Sequence, residues 1–275
     1  MAEKAQTVII GGTGKTGRRV AERLAARGLP IRITARSTLP AFDWERQATW
    51  APALEDARSA YVTYSPDLAV PGAAAAVAEL AALAVSLGVR KLVLLSGRGE
   101  EEALRGERAV QQSGAEWTIL RCSWFNQNFS EGVFLDAVRA GEVALPAGDT
   151  PEPFVDADDI AEAAAAALTE EGHAERVYEL TGPRLLTFGE AVGEIGRATG
   201  REIRYVPISV EEYAAELAGL GVPSTTVSVI QYLFGEVLDG RNARLADGVE
   251  RALGRPARDF RDYARPTASE GVWNP

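Results

Sequence analysis

The stretch TVIIGGTGKTG, Thr7 to Gly17, decides how this chain is read. Val8, Ile9 and Ile10 are β-branched and apolar, as an interior strand requires. Four glycines follow within seven positions, Gly11, Gly12, Gly14 and Gly17. A helical pattern then begins, with Arg18 and Arg19 facing out, Val20 and Leu24 on one face, and Gly28 closing it. Gly12-x-Gly14-x-x-Gly17 thus lies between a strand and a helix, where a dinucleotide fingerprint must lie. Missing side chains let backbone approach a pyrophosphate, and the helix N-terminus favours its charge. GTGKT also looks like a P-loop. Counting back from Gly14-Lys15-Thr16 places the required first glycine at Ile9, inside the strand, so that loop is too short to wrap a triphosphate.

Working outward, strand Ile31–Ala35 follows the helix and ends at Arg36. An acidic residue here binds the ribose hydroxyl of NAD, whereas arginine accommodates the 2′-phosphate of NADP. The segment IRITARST has no acid. Arg36 can pair with a phosphate, and Ser37 and Thr38 can donate to it. The alternative is a solvated arginine. A short third strand is expected around Ala41–Trp44, then a helix near Thr49–Ala57 and a fourth strand, Ser59–Tyr64, ending at Ser65-Pro66. Pro71 opens an alanine-rich helix to Gly88, with Val77, Leu80, Leu83 and Leu87 as its stripe. Arg90–Leu95 is a fifth strand running into Ser96-Gly97. A helix from Glu101 to Gln112 precedes strand Trp117–Arg121.

Alternating strands and helices give an α/β fold with a doubly wound parallel sheet of Rossmann type. Ligands of such sheets sit at the carboxyl ends of the strands. Those ends carry Gly11, Gly12, Thr13, Gly14, Lys15, Thr16 and Gly17, then Arg36, Asp43, Tyr64, Ser65, Pro66, Ser96 and Gly97. They also carry Cys122, Ser123, Trp124, Phe125 and Asn128. Beyond Arg121 the alternation loosens. Phe129–Ala140 reads as helical, Phe154-Val155 as a short strand, and Asp156 as the cap of a helix to Leu168. Val177–Leu180 is another strand. Thr187-x-x-Glu190 and Ser209-x-x-Glu212 are capping boxes. Val222–Pro275 reads as helical. The expected organisation is a dinucleotide domain over 1–155. Residues 156–275 then complete the sheet and form a smaller, mainly helical substrate lobe, without enough strands for a second sheet.

The inventory excludes several chemistries. At 275 residues, 46% hydrophobic and 25% charged, the chain can bury a large core. A net charge of −10 disfavours nucleic acid. No run of about 18 apolar residues suggests a membrane span, and MAEKAQ lacks a signal segment. One cysteine, Cys122, forbids internal disulfides and fits a reducing cytoplasm. With that cysteine and a single histidine, His173, no zinc site is credible. The nearest match to a hydrolase elbow, Leu94-Leu95-Ser96-Gly97-Arg98, lacks its first glycine. There are three lysines, Lys4, Lys15 and Lys91. The length leaves room for a homo-oligomer.

Taken together, GGTGKTGRRV, LVLLSGRGE, SGAEWTILRCSWFNQNF, PFVDADDIAEAAAAAL, YELTGPRLLTFGEAV and ALGRPARDFRDYA resemble the NmrA-like atypical short-chain dehydrogenases/reductases. The resemblance spans nearly the whole chain and looks nearest to NAD(P)H-dependent reductases of the agroclavine dehydrogenase type. Its most specific parts are Thr118–Arg121 with Phe125 and Asn128, and Asp159-Ile160-Ala161. It implies an NADP(H) site lined by the glycine loop, Arg36, the end of the fourth strand, Ser96 and Trp124–Asn128, with Asp43 near the adenine. One departure is decisive. Catalytic members of the wider superfamily use Tyr-x-x-x-Lys after the fifth strand, the tyrosine giving a proton and the lysine lowering its pKa. Here the seven tyrosines are followed four positions on by Ser65, Leu68, Gly182, Ser209, Leu217, Glu236 and Thr267. If Glu107 keeps the pattern's later glutamate, Gly99 and Ala103 stand where tyrosine and lysine would.

Two functions remain open. One is an NADPH-dependent reductase of a small, ring-bearing C=O, C=N or C=C substrate that needs no strong enzymic acid, since hydride addition to an iminium yields a neutral amine directly. The other is an NADP(H)-binding redox sensor or regulator of the NmrA type. Trp124, Phe125 and Asn128 are the expected substrate contacts, with both aromatics equally readable as core. Ser96 and Tyr64 are the catalytic candidates. Ser96 reads equally well as a turn cap, and Tyr64 as a wall of the cofactor site.

Overall fold

A computed structural model describes residues 6–275. In chain order the first strands and helices are β1 (Gln6–Ile10), α1 (Lys15–Ala26), β2 (Ile31–Thr34), α2 (Trp50–Leu54), β3 (Ala57–Val62), α3 (Ala73–Ser86), β4 (Lys91–Gly97), α4 (Glu101–Gln111) and β5 (Glu116–Cys122). There follow α5 (Leu135–Ala140), β6 (Glu142–Leu145), α6 (Ala157–Thr169), β7 (Arg176–Leu180), α7 (Phe188–Thr199) and β8 (Arg204–Pro207). The chain ends with α8 (Val210–Gly219), α9 (Ser224–Tyr232), α10 (Gly248–Leu253) and α11 (Phe260–Ser269). These elements form two compact units. One holds the chain through Cys122 with Ala157–Leu180 and Asp247–Arg255; the other holds Ser123–Asp156, Thr181–Ala246 and Pro256–Pro275. Two segments beyond residue 155, Ala157–Leu180 and Asp247–Arg255, thus belong to the first unit.

The first unit is a six-stranded sheet in the order β2-β1-β3-β4-β5-β7, parallel throughout. Successive side chains alternate between its faces. Val8 and Ile10 join Leu54, Val77, Leu80 and Val110 in one core, under α2, α3 and α4. Ile9, Tyr61 and Val93, all fully buried, point to the other face, where α6 packs on β3, β4 and β5 and on α1. Burial on both faces explains strands that read as unbroken apolar runs. Ion pairs tie the outer helices. Arg23 donates to Asp158 at 2.5 Å, and Arg255 reaches the fully buried Asp159 at 2.7 Å. The Asp159-Ile160-Ala161 signature is thus an anchor within the sheet unit.

The expected third strand does not form. Phe42 and Trp44 have strand-forming side chains but plug a loop. Phe42 lies 5.1 Å from Trp44 and 6.2 Å from Trp50, centroid to centroid. Trp44 Nε1 donates to the Thr63 carbonyl at 3.1 Å, and Trp50 Nε1 to the Asp43 carbonyl at 2.9 Å. Side-chain burial, not strand pairing, places these residues.

The second unit corrects two more expectations. It contains a two-stranded parallel sheet, β6 with β8. Phe129–Ala140 is not one helix: a 3₁₀ turn, Asn126–Phe129, is separated from α5 by Ser130–Phe134. Both capping boxes form, Thr187 with Glu190 and Ser209 with Glu212. Phe129, Phe134, Phe154, Phe188, Phe260 and Trp273 share one core. Trp273 is fully buried and donates Nε1 to the Phe129 carbonyl at 2.8 Å. Trp273→Ala empties that site and is expected to cost about 3–5 kcal/mol in urea unfolding; a loss below about 1 kcal/mol would make the C-terminus dispensable.

Candidate active site

The glycine turn is built by close approach. Gly11 takes a φ of +72°, a conformation that favours glycine. Its amide and that of Gly12 donate to the Thr34 carbonyl at 3.0 and 3.1 Å, joining the turn to β2. A Cβ on Gly12 would lie 2.7 Å from Ile33 Cγ2, and one on Gly17 would lie 2.3 Å from the Gly11 carbonyl oxygen. Gly17 therefore lets α1 sit directly on the turn, and Thr16 is buried with it. Gly14 occupies the N-cap of α1 with no side-chain cap. Thr13 and Gly14 are exposed and Lys15 is half-buried. Uncapped amides at an exposed helix start suit an anionic group, so the residues present fit a dinucleotide pyrophosphate.

At the end of β2, Arg36 and Ser37 are exposed, and Arg36 makes no ion pair among the described residues. Thr38 is spent on the turn: its hydroxyl meets the Ala35 amide at 2.8 Å and donates toward the Ala35 and Pro40 carbonyls. Asp43 is likewise committed locally, accepting from Arg46 Nε at 3.0 Å and the Glu45 amide at 3.1 Å. Its carboxylate is braced within its own loop. After β3, Tyr64 packs on Trp44 at 4.6 Å. Burial, then Glu45, pushes the Tyr64 phenol upward, the reverse of what an activating lysine does. Ser65 and Pro66 are exposed beside it.

The edge between β4 and β5 carries an ionic network. Ser96 is 4% exposed, and its hydroxyl donates to Glu107 Oε1 at 2.6 Å. The same oxygen accepts from Arg121 Nε at 2.9 Å, while Arg121 Nη2 binds Oε2. Arg121 Nη1 continues to Glu179 Oε1 at 3.2 Å, and Arg98 lies 3.4 Å from Glu179 Oε2. Glu107 and then Glu179 hold the Arg121 guanidinium above its ordinary range against the opposing effect of burial. The Ser96 hydroxyl proton is held by this network, so Ser96 braces Glu107. Cys122 ends β5 opposite Gly97; burial pushes its thiol up, so it holds no reactive thiolate.

Glu100 was not singled out by the motifs. It follows β4 as the N-cap of α4, yet its side chain makes no cap bond. Its carboxyl lies over Gly97, where an added Cβ would meet Oε1 at 2.0 Å and Oε2 at 2.4 Å. No spacing rule reveals this; the only signal is a carboxylate three residues after a strand-end glycine. Ala103, where a superfamily lysine would stand, is fully buried in the first core.

In the second unit, Ser123 Oγ donates to Glu152 Oε2 at 2.9 Å. Trp124 and Asn126 exchange backbone bonds with Val155 at 2.8 and 2.9 Å. Gln127 Nε2 donates to Asp156 Oδ1 at 3.0 Å. Trp124, Phe125 and Asn128 are half-buried on this pinned segment. Trp124 is walled by Phe234 at 4.9 Å, Phe188 at 5.2 Å and Phe134 at 6.4 Å. The aromatics are therefore both core and surface. Among the described residues no acidic, histidine and cysteine side chains cluster to hold a metal, and no helix is long and apolar enough to cross a membrane. Removing the brace hydroxyl, Ser96→Ala, is expected to cost roughly 1.5–3 kcal/mol in denaturant unfolding; an unchanged midpoint would show that Glu107 does not depend on it.

No protein-family model matches the chain. It is 32% identical over 280 residues to (4-alkanoyl-5-oxo-2,5-dihydrofuran-3-yl)methyl phosphate reductase of Streptomyces griseus, across 94% of this chain and 96% of that protein. It is 30% identical over 289 residues to agroclavine dehydrogenase of Claviceps fusiformis, across 97% of this chain and 98% of that one. Its fold matches the crystal structure of Citrobacter sp. triphenylmethane reductase complexed with NADP(H), with TM-score 0.74 and 19% identity, covering 95% of this chain and 99% of that one. Such identity over almost the full length places the chain in the NmrA-like atypical short-chain dehydrogenase/reductase family.

Proposed function

We propose that the protein is an NADPH-dependent oxidoreductase that reduces a C=O, C=N or C=C bond in a small cyclic or aromatic substrate. The observation that carries the reading is the pairing of a side-chain-free turn after β1 with an exposed Arg36 after β2. The named relatives, a dehydrogenase and a reductase, support oxidoreduction as the reaction class.

In this reading Gly11 to Gly17, with Thr13, Lys15 and Thr16, hold the pyrophosphate, and Arg36 with Ser37 holds the 2′-phosphate. Tyr64, Ser65 and Pro66 form a wall after β3. Gly97 and Cys122 present backbone at the sheet edge, with Ser123, Trp124 and Phe125 following. Ser96 acts from beneath by bracing Glu107. Trp124 and Phe125 give flat apolar surface to a ring, and Asn128 gives it a polar contact. When bound, the reduced nicotinamide supplies hydride. These residues hold the acceptor carbon in place and keep water away. No Tyr-x-x-x-Lys pair takes part, because the chain contains none.

Two measurements test this. Arg36→Ala is expected to weaken NADPH binding about 10- to 100-fold, the worth of one charge-assisted contact, and to change NADH binding little. Equal losses for both would remove the 2′-phosphate assignment. The purified protein is also expected to oxidise NADPH with some member of a panel of quinones, enones, aromatic ketones and cyclic iminium salts. Tight NADPH binding without oxidation by any of them favours a redox sensor or regulator instead.

A further inference from the structure

Reduction of a carbonyl or an activated C=C consumes a proton as well as a hydride, and the usual donors fail. Ser96 has its proton in the Glu107 carboxylate. The Cys122 thiol is buried and bonded to the Leu120 carbonyl at 3.5 Å. His173 precedes β7, whose first residue is Arg176, so it lies at the amino edge of the parallel sheet, bonded to Tyr178 Oη at 2.9 Å. Burial, and then the charge of Glu45, holds the Tyr64 phenol proton more tightly.

Two acids remain at the carboxyl edge, Asp67 after β3 and Glu100 after β4. Burial raises the Asp67 carboxyl as well, but it already accepts the Ala69 amide at 2.9 Å within its own loop. Glu100 is 8% exposed, and its Oε2 is buried without a hydrogen-bond partner. Gly97 has no side chain, and the Glu100 carboxyl fills that space. Gly97 ends β4 and pairs with Cys122 at the end of β5, in the interior of the sheet order. An unpaired buried carboxyl is costly as an anion and acceptable as an acid. Its titratable surroundings agree. Asp67, from the loop after β3, and Glu107, from α4, add negative charge to the effect of burial and drive the Glu100 carboxyl well above the usual carboxylate range. The Cys122 thiol, itself neutral, feels both the Glu100 carboxyl and Arg98, and Arg98 lies 3.4 Å from Glu179.

We propose that the Glu100 carboxyl, seated over Gly97 at the carboxyl edge of the sheet, is the proton donor for acceptors that require one. The assignment rests on the reductase reading above and adds to it a catalytic acid. Hydride forms a C–H bond at the acceptor carbon, and the π pair of C=X moves onto X. The Glu100 O–H bond breaks as X–H forms. The substrate gains two electrons and two hydrogens, NADPH is oxidised to NADP⁺, and the Glu100 carboxylate recovers its proton from solvent. For a conjugated C=C, X is the enolate terminus.

The test separates acceptors by proton demand. Glu100→Gln is expected to lower kcat for a quinone or enone by about 10²-fold or more. It should leave reduction of an N-alkyl iminium salt, which needs no proton, within about threefold, with NADPH affinity unchanged. For the quinone, wild-type rate should fall as pH rises through the raised pKa of Glu100. A readout independent of turnover follows from the same acid. A carboxyl whose pKa is higher folded than unfolded contributes stability below its unfolded pKa and loses it as pH rises toward the folded value. The thermal midpoint of Glu100→Gln should therefore gain on that of the wild type as pH rises above the ordinary carboxylate range. Equal rate losses on both acceptor types, or none on either, overturn the assignment while the reductase reading stands. If wild type oxidises NADPH with no acceptor, both fall together. Should Glu100→Gln not fold, Glu100→Asp decides: a retracted acid must slow the quinone and spare the iminium.

Discussion

The architecture depends on how closely α1 sits on the end of β1. At Gly17 the distance from a would-be Cβ to the Gly11 carbonyl is 2.3 Å, so no other residue fits without moving backbone. That contact sets the helix axis, exposes the first amides of α1 and brings Gly11 and Gly12 into hydrogen bonds with Thr34. The same bonds hold the end of β2 beside the turn, and Arg36 follows two residues later. One steric constraint therefore positions both phosphate-binding features proposed here.

The neighbouring strands solve a different problem. Ser96, Glu107, Arg121 and Glu179 place polar groups in the first unit, and each charge is met by an opposite one or by a donor. Such networks hold together only when nearly complete. Glu100 stands just outside this one, with an oxygen that nothing satisfies. A protein tolerates that cost most readily by keeping the group protonated. The edge of β4 thus sets a rigid ionic brace, Glu107 held by Ser96 and Arg121, beside a carboxyl whose Oε2 has no hydrogen-bond partner.

Some of this was legible in the chain itself. Gly12, Gly14 and Gly17 mark the turn because their spacing reflects steric demand, and Thr187 and Ser209 mark helix starts because capping is local. The misread elements share a cause, since their placement depends on partners distant in sequence. Phe42 and Trp44 have strand-forming side chains but are captured by Trp50 and Thr63. β6 and β8 are four residues each, too short for a periodicity to be read from the chain. The Ser96–Glu107 bond exists only once α4 folds back on β4, so no local pattern marks it. The seat of Glu100 over Gly97 is tertiary in the same way.

The return of Ala157–Leu180 and Asp247–Arg255 to the sheet unit has a consequence for biosynthesis. Until residue 180 has left the ribosome, β5 is an open sheet edge, and the face bearing Ile9, Tyr61 and Val93 lacks α6. A nascent chain ending near residue 155 therefore presents an unpaired strand and an uncovered apolar surface, the two features that most invite aggregation. The cofactor-binding half of this protein is translated first but becomes a finished domain only when nearly the whole chain exists.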